Sequence, residues 1–374
     1  MRGKKKSLAL LLAAAMVMGS PSPAVYAKTS EDLAKNVQAQ ESSNEETTKC
    51  FNDNWTEVTG DGWRDGMVSG NGENGVVTTG SPYGDRLIYQ YMYFAYPSPE
   101  PRESPDETAY LDEARQAVFN LDDSWNVHGR RRTFSYAFHP GHQLALNMAE
   151  KNEYSNYQRW TDYVTAEIGV QYSDRNGDWQ RKTFVSREDN VVITRIDKSS
   201  SGAKVNMTVS IDDIQSMSKS WDGLSAVSRM QYKKLVDDNA EYIAEVGHYP
   251  AYEGSELREG GFVGVTRVVT VGGQKERVLL DNTNESINVG KDQNPAIKIT
   301  DADAVYLITK SKRTHTMGTL EAFRNQNQFA LLDELLEHIN GVIDKEEYQT
   351  DGHFDYDKAL APHAKLHGDQ FSSN

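Results

Sequence analysis

Two groups of residues in this chain have types and spacing that could do chemistry at once. Gly70, Gly72 and Gly75 spell G-x-G-x-x-G, the spacing with which a glycine-rich turn holds a pyrophosphate against a helix N-terminus. That use needs a strand before the glycines and a helix after them. The residues after Gly75 are Val76-Val77-Thr78-Thr79, β-branched throughout and closed by Gly80, which read as a second strand. Met67 to Ser69, a turn built on Gly70, Asn71, Gly72 and Gly75, and Val76 to Thr79 are therefore expected to form a β-hairpin, with the glycines as structural turn residues. His363 and His367 stand four apart, as metal ligands on a helix do, but the Glu of an H-E-x-x-H arrangement is missing. An ordinary helix face is expected there.

The remaining short motifs are weaker. Asp351-Gly352-His353-Phe354-Asp355 lacks the alternating oxygen ligands of a calcium loop. Arg130-Arg131-Arg132 is a short basic run in an acidic chain and reads as ion-paired. Neither a G-x-S-x-G elbow nor a P-loop pattern occurs. No metal site and no cofactor are expected.

The elements that would position such residues are mostly strands. Arg86 to Phe94 alternates with Tyr89, Tyr91 and Tyr93 on one face and Ile88, Met92 and Phe94 on the other. Val164 to Tyr172 and Trp179 to Ser186 flank Asp174-Arg175-Asn176-Gly177-Asp178, whose Asn-Gly is a hairpin signal. Val191 to Ile196, Val205 to Asp212, Tyr242 to Val246, Phe262 to Val271 and Ala304 to Thr309 read as further strands, with Gly272-Gly273 as a tight turn. Thr108 to Leu121 is expected as an amphipathic helix, with Leu111, Ala114, Ala117 and Val118 at helical spacing. Leu320 to Ile343 and Tyr356 to Phe371 carry helical spacing too, the second interrupted at Pro362. At least nine strands without intervening helices imply a mainly β fold, a large antiparallel β-sandwich followed by a C-terminal helical element.

Arg2 and Lys4 to Lys6, then the apolar run Leu8 to Met18, then Val25-Tyr26-Ala27, have the order of a secretory signal peptide with cleavage after Ala27. The expected divisions are a signal at 1–27, a polar spacer at 28–50, the sandwich at 51–315 and a helical linker at 316–374. Removing four cations with the signal takes the formal charge from −15 to −19. Such a surface repels phosphate backbones and anionic lipids, so neither nucleic acid nor membrane is an expected partner. Cys50 is the only cysteine and can form no intrachain disulfide. The protein is expected to be secreted.

Trp63, Gly70-Asn71-Gly72, Gly75, Gly80 and Asp85 stand in an order that resembles the start of the N-terminal sandwich domain of glycoside hydrolase family 95, the α-L-fucosidases. His139-Pro140-Gly141-His142-Gln143-Leu144, Tyr157 to Tyr163, Trp179 to Ser186 and Asn190 to Ile196 continue the resemblance. The family's Asn-Glu pair and Trp after the third strand are replaced by Ile88 to Ala95, so the substrate sugar is not fixed by it. The resemblance implies a non-catalytic domain that supports inverting hydrolysis of terminal α-L-fucosyl or related sugars, with a catalytic barrel of paired helices as its partner beyond the linker. It assigns no catalytic residue to this chain, which is expected to be inactive alone and the front part of a longer architecture. Sugar rings stack their apolar faces on aromatic rings, so Tyr89, Tyr91, Tyr93 and Tyr96, with Trp63 and Trp125, are the candidate carbohydrate contacts. The competing reading of this tyrosine face is burial between two sheets. A stand-alone carbohydrate-binding protein is the alternative function.

Overall fold

The computed structural model describes residues 49–52, 66–94, 108–120, 141–198, 202–211, 231–248, 260–281, 294–314 and 327–372. Two antiparallel sheets face each other and helices cover one of them. In chain order the strands are β1 (Lys49–Asn52), β2 (Met67–Gly70), β3 (Asn74–Thr78), β4 (Gly84–Tyr91), β5 (His142–Met148), β6 (Ser155–Asp162), β7 (Ile168–Asp174), β8 (Gly177–Val185), β9 (Val192–Lys198), β10 (Val205–Ile211), β11 (Gln231–Val236), β12 (Tyr242–His248), β13 (Gly261–Val271), β14 (Gln274–Leu280), β15 (Asn294–Ala302) and β16 (Ala304–Arg313). One sheet has nine strands in the order β1-β6-β7-β8-β9-β16-β13-β12-β11, and the other seven in the order β14-β15-β10-β5-β4-β3-β2. The expected sandwich is thus the fold. Helices α1 (Leu111–Phe119), α2 (Gln328–Ile343) and α3 (Tyr356–Ser372) complete the described elements, with a small two-strand pair between α2 and α3.

Alternation along the strands sorts side chains into two cores. Leu87, Tyr89, Leu144, Val170, Trp179, Val209, Ile297 and Leu307 fill the space between the sheets. Phe184, Ile193, Val263 and Ile308 point the other way from their strands and meet Leu332, Leu335, Ile339, Tyr356 and Ala359 of the helices. The nine-stranded sheet is therefore buried on both faces. Its central strands accordingly read as near-continuous apolar runs, such as Gly261–Val271.

The chain passes between sheets at tight corners. Gly272 and Gly273, at φ 64° and 69°, carry it from β13 in one sheet to β14 in the other, a left-handed pair that glycine adopts without steric cost. Asp301 at φ 58° helps it return from β15 to β16.

A buried ion pair ties the sheets together. Arg181 Nη2 on β8 lies 2.5 Å from Asp85 Oδ2 on β4, with both side chains almost wholly buried. The other carboxylate oxygen accepts from the Thr79 hydroxyl at 2.5 Å and from the N–H groups of Gly80 and Arg86 at 2.8 Å. The guanidinium also donates to the Ser81 carbonyl at 2.8 Å. A second polar insertion is His142, fully buried, with Nε2 3.1 Å from the Thr266 hydroxyl. It fits only because position 264 has no side chain, since a Cβ there would lie 2.1 Å from its Nδ1.

Several elements depart from expectation for local reasons. β4 ends at Tyr91, where a turn closed by Phe94 N–H to the Tyr91 carbonyl (2.9 Å) sends Phe94 back against Tyr91 and Phe262. β7 starts at Ile168 because Asp162 Oδ1 accepts from Val164 and Thr165 N–H and sets a turn there. α2 starts at Gln328, capped by Asn327 in extended geometry with its side chain accepting from Phe329 and Ala330. α3 runs unbroken through Pro362, with Tyr356, Ala359 and His363 buried on both sides of it, so packing on the sheet outweighs the one backbone bond proline removes. Leu111, Val118 and Phe119 of α1 are exposed.

Breaking the inter-sheet ion pair on one side strands a buried charge. Arg181→Met is expected to destabilise the domain by roughly 3–5 kcal/mol, and the double variant Asp85→Leu, Arg181→Met to recover most of that loss. Urea denaturation of the three proteins measures both values.

Candidate functional site

The turn between β8 and β9 organises more of this molecule than its length suggests. Asp189 N–H donates to Ser186 Oγ at 2.9 Å, and the hydroxyl donates back to Asp189 Oδ2 at 3.1 Å. Asn190 sits at φ 55°, a left-handed conformation that asparagine tolerates better than most residues. With its backbone fixed in this way, the turn sends bonds in three directions.

Toward the seven-stranded sheet it holds the glycine hairpin. Gly70 pairs with Gly75 as expected, and Gly72 takes φ 96°. Asn71 shapes the turn by accepting from Glu73 and Asn74 N–H at 2.9 and 2.8 Å. Its amide then donates to the Ser186 carbonyl and to Asn190 Oδ1, both at 2.9 Å, while the Asn74 amide donates to the same Asn190 oxygen at 2.8 Å. The G-x-G-x-x-G segment is a clasp between sheets, continued by strand β3.

Toward α2 the turn offers a carboxylate and two carbonyls. Lys345 Nζ donates to Asp189 Oδ1 at 2.5 Å and the Tyr348 hydroxyl to Oδ2 at 3.0 Å. His338 Nε2 donates to the Asp189 carbonyl at 2.7 Å, and Lys310 Nζ to the Asn190 carbonyl at 2.7 Å. Burial works against the Lys345 charge, but the Asp189 carboxylate outweighs it and holds the ammonium above its usual range. Lys310 has no such direct partner, and burial pushes it down to about 8.

Toward α3 the turn meets the histidine pair. Arg187 N–H donates to His363 Nδ1 and Arg187 Nε to His367 Nδ1, each at 3.1 Å. The opposite nitrogens donate to the Thr165 and Tyr163 carbonyls at 2.7 and 3.0 Å. All four ring nitrogens are thus engaged by protein groups and the two rings stack at 5.9 Å. This helix face is a latch to the sandwich, with no lone pair left to offer a metal.

Four of the buried acids are equally committed. Asp85 faces Arg181, Asp189 faces Lys345, Asp197 faces Arg195, and Glu167 lies 3.6 Å from Lys182 and accepts from the Tyr356 hydroxyl at 3.0 Å. Glycosidic cleavage needs one protonated and one ionised carboxyl group flanking the bond. These four acids are fixed in structural pairs.

The tyrosine face separates into its members. Tyr89 is 1% exposed between the sheets and stacks on His142 at 4.6 Å. Tyr91 is buried and meets Phe94 and Tyr93 edge-on at 5.3 and 5.5 Å. Tyr93 is half-buried. Trp63, Tyr96 and Trp125 lie outside the described residues. Tyr89 and Tyr91 therefore present no open ring face, because strand alternation turns them into the core. No local motif marked the residues of the clasp, Ser186 to Asn190 with Lys345 and Tyr348, as a unit.

A family model described as glycosyl hydrolase family 65, N-terminal domain, matches residues 54–312. This chain belongs to that family. The motif resemblance to family 95 and the family 65 match agree on the N-terminal domain of a glycoside hydrolase and differ in the family. Among solved structures, the family 65 domain is similar to a chain described as "Putative kojibiose phosphorylase from human microbiome", at 9% identity and a TM-score of 0.44, covering 87% of this chain. It spans 38% of that protein's length. No curated protein matches it.

The latch carries a pH signature. Burial pushes His363 from 6.5 down to about 4, so between these values the unfolded chain binds a proton that the folded chain does not. Its contribution to stability is complete above about pH 6.5 and is lost as pH falls toward 4. The urea midpoint of the native protein is expected to fall more steeply from pH 7.5 to 4.5 than that of His363→Gln, measured side by side.

Proposed function

We propose that this chain is the non-catalytic N-terminal domain of an exported enzyme that cleaves glycosidic bonds, and that it supports a separate catalytic domain through its C-terminal helices. The observation that carries this reading is the family 65 match over 54–312. The packing of α2 and α3 on the nine-stranded sheet, locked by the turn at Ser186 to Asn190, supplies a physical role consistent with it. Helices fixed at both ends to a doubly buried sheet make a firm base for a second domain. The carboxylate pair, and with it the chemistry, belongs to the partner domain in this reading.

The substrate is a glycoside, with α-L-fucosides the finer reading that the motif resemblance supports. Family 65 membership widens the test to other glycosides and to phosphate as the acceptor. Aryl α-L-fucoside and aryl α-glucoside, each incubated with and without phosphate, are expected to show no release above blank with this chain alone. Release with the chain joined to a family 65 catalytic domain would identify sugar and acceptor together. Turnover by the chain alone would overturn the reading.

Export rests on the cationic start, the apolar run and the small residues before Lys28. N-terminal sequencing of protein recovered from the medium of an expressing bacterium is expected to begin at Lys28. Retention in the cells with Met1 intact would overturn export.

A further inference from the structure

At the end of the sandwich opposite the clasp, the two sheets part around a cleft of about 700 Å³. Strand β8 links the two places: its last residue adjoins the Ser186 turn and its first adjoins the cleft. Nine residues at ~3.3 Å each put them roughly 25–30 Å apart. The walls come from both sheets, with Asp174, Asn176 and Trp179 on one side and Met148, Lys204 and Asn206 on the other.

The floor is built on two aromatic rings tied to one carboxylate. Trp179 and Tyr83 are each under a tenth exposed, and the Trp179 indole N–H and the Tyr83 hydroxyl both donate to Asp174, at 2.9 Å to its two oxygens. Asn152 and the Asn176 backbone N–H add bonds at 3.2 and 2.8 Å to the same carboxylate. Tyr154 braces this floor from behind the lining, packing edge-on against Tyr83 at 6.2 Å.

The rim is polar and its charges are already matched. Glu150 accepts from Arg175 at 3.0 Å and from the Asn176 amide at 3.3 Å. Lys204 pairs with Asp303 at 2.5 Å, and Asn206 accepts from Asp301 N–H at 3.0 Å. A site for phosphate would need unmatched cations, and the chain's net charge of −15 also repels anions. What remains, among the described residues, is the Asn176 side-chain carbonyl and the further hydrogens of the Lys204 ammonium, beside an aromatic floor. That combination selects a neutral ligand bearing many hydroxyls and an apolar face, in a volume typical of small-molecule sites.

We infer that this cleft is a carbohydrate-binding subsite for one or two sugar units, remote from the helical face. The choice of sugar as the ligand rests partly on the glycosidase reading, but the site's existence rests on the cleft itself. Because Trp179 and Tyr83 are each under a tenth exposed, little ring surface is open to stacking and binding is expected to be weak, with Kd in the millimolar range.

The test uses the full chain and free sugars: maltose, cellobiose, lactose and 2′-fucosyllactose, titrated to 50 mM and followed by tryptophan fluorescence and calorimetry. At least one is expected to bind and to perturb tryptophan emission. Lys204→Ala with Asn206→Ala, both on the rim, is expected to weaken that binding at least tenfold. Trp179→Phe keeps the ring and loses the indole N–H, and is expected to retain binding while altering the optical signal. Absence of binding to all four sugars, or binding unchanged in the rim double variant, would overturn the subsite. Neither result depends on catalysis, so failure here leaves the glycosidase reading standing, and failure of the turnover assays leaves this one standing.

Discussion

One four-residue stretch, Arg187 to Asn190, holds three parts of this protein in register. Asn190 Oδ1 accepts from Asn71 and Asn74 at once, and the same turn binds α2 through the Asp189 carbonyl and α3 through Arg187. The turn can do this because Asn190 takes a left-handed backbone angle, which aims side chain and carbonyl in different directions. A sheet buried on both faces has few places where polar groups can reach across layers. Here they meet at the end of β8, where the strands run out and backbone donors and acceptors become available.

The domain's polar interior divides labour with its apolar one. The apolar cores supply most of the burial, but they are compatible with sliding one layer over another by a residue or a turn. Directional contacts remove that freedom. Arg181 with Asp85 fixes the two sheets against each other, and Tyr356 with Glu167 fixes α3 against the sheet beneath it. Unmatched charges at these depths would be costly, so each contact favours one alignment over its neighbours.

Much of this was legible in the amino-acid sequence, for physical reasons. β-branched runs between Gly and Asn turns marked β3, β8, β9, β10, β13 and β16, and the Val76-Val77-Thr78-Thr79 run ruled out a nucleotide-binding helix after Gly75. Strands without that signature were hidden. β5 (HQLALNM) has no β-branched residue, and β14 (QKERVLL) is mostly polar because it lies at a sheet edge. The tyrosine alternation in β4 was visible, but only the partner sheet decides which face is inside. The clasp was hidden more deeply, since its contacts join residues more than 100 positions apart. Nothing local to Lys345 or His338 foretells an aspartate turn in a distant hairpin.

The edge strand β14 has a consequence for the protein in crowded solution. Lys275, Glu276 and Arg277 stand in succession along it, and among the described residues no strand neighbours its outer side in the sheet. A second molecule adding a strand there would have to bring its own backbone against alternating fixed charges and strip their water. Strand addition is therefore disfavoured along that border, where a smooth apolar one would invite it.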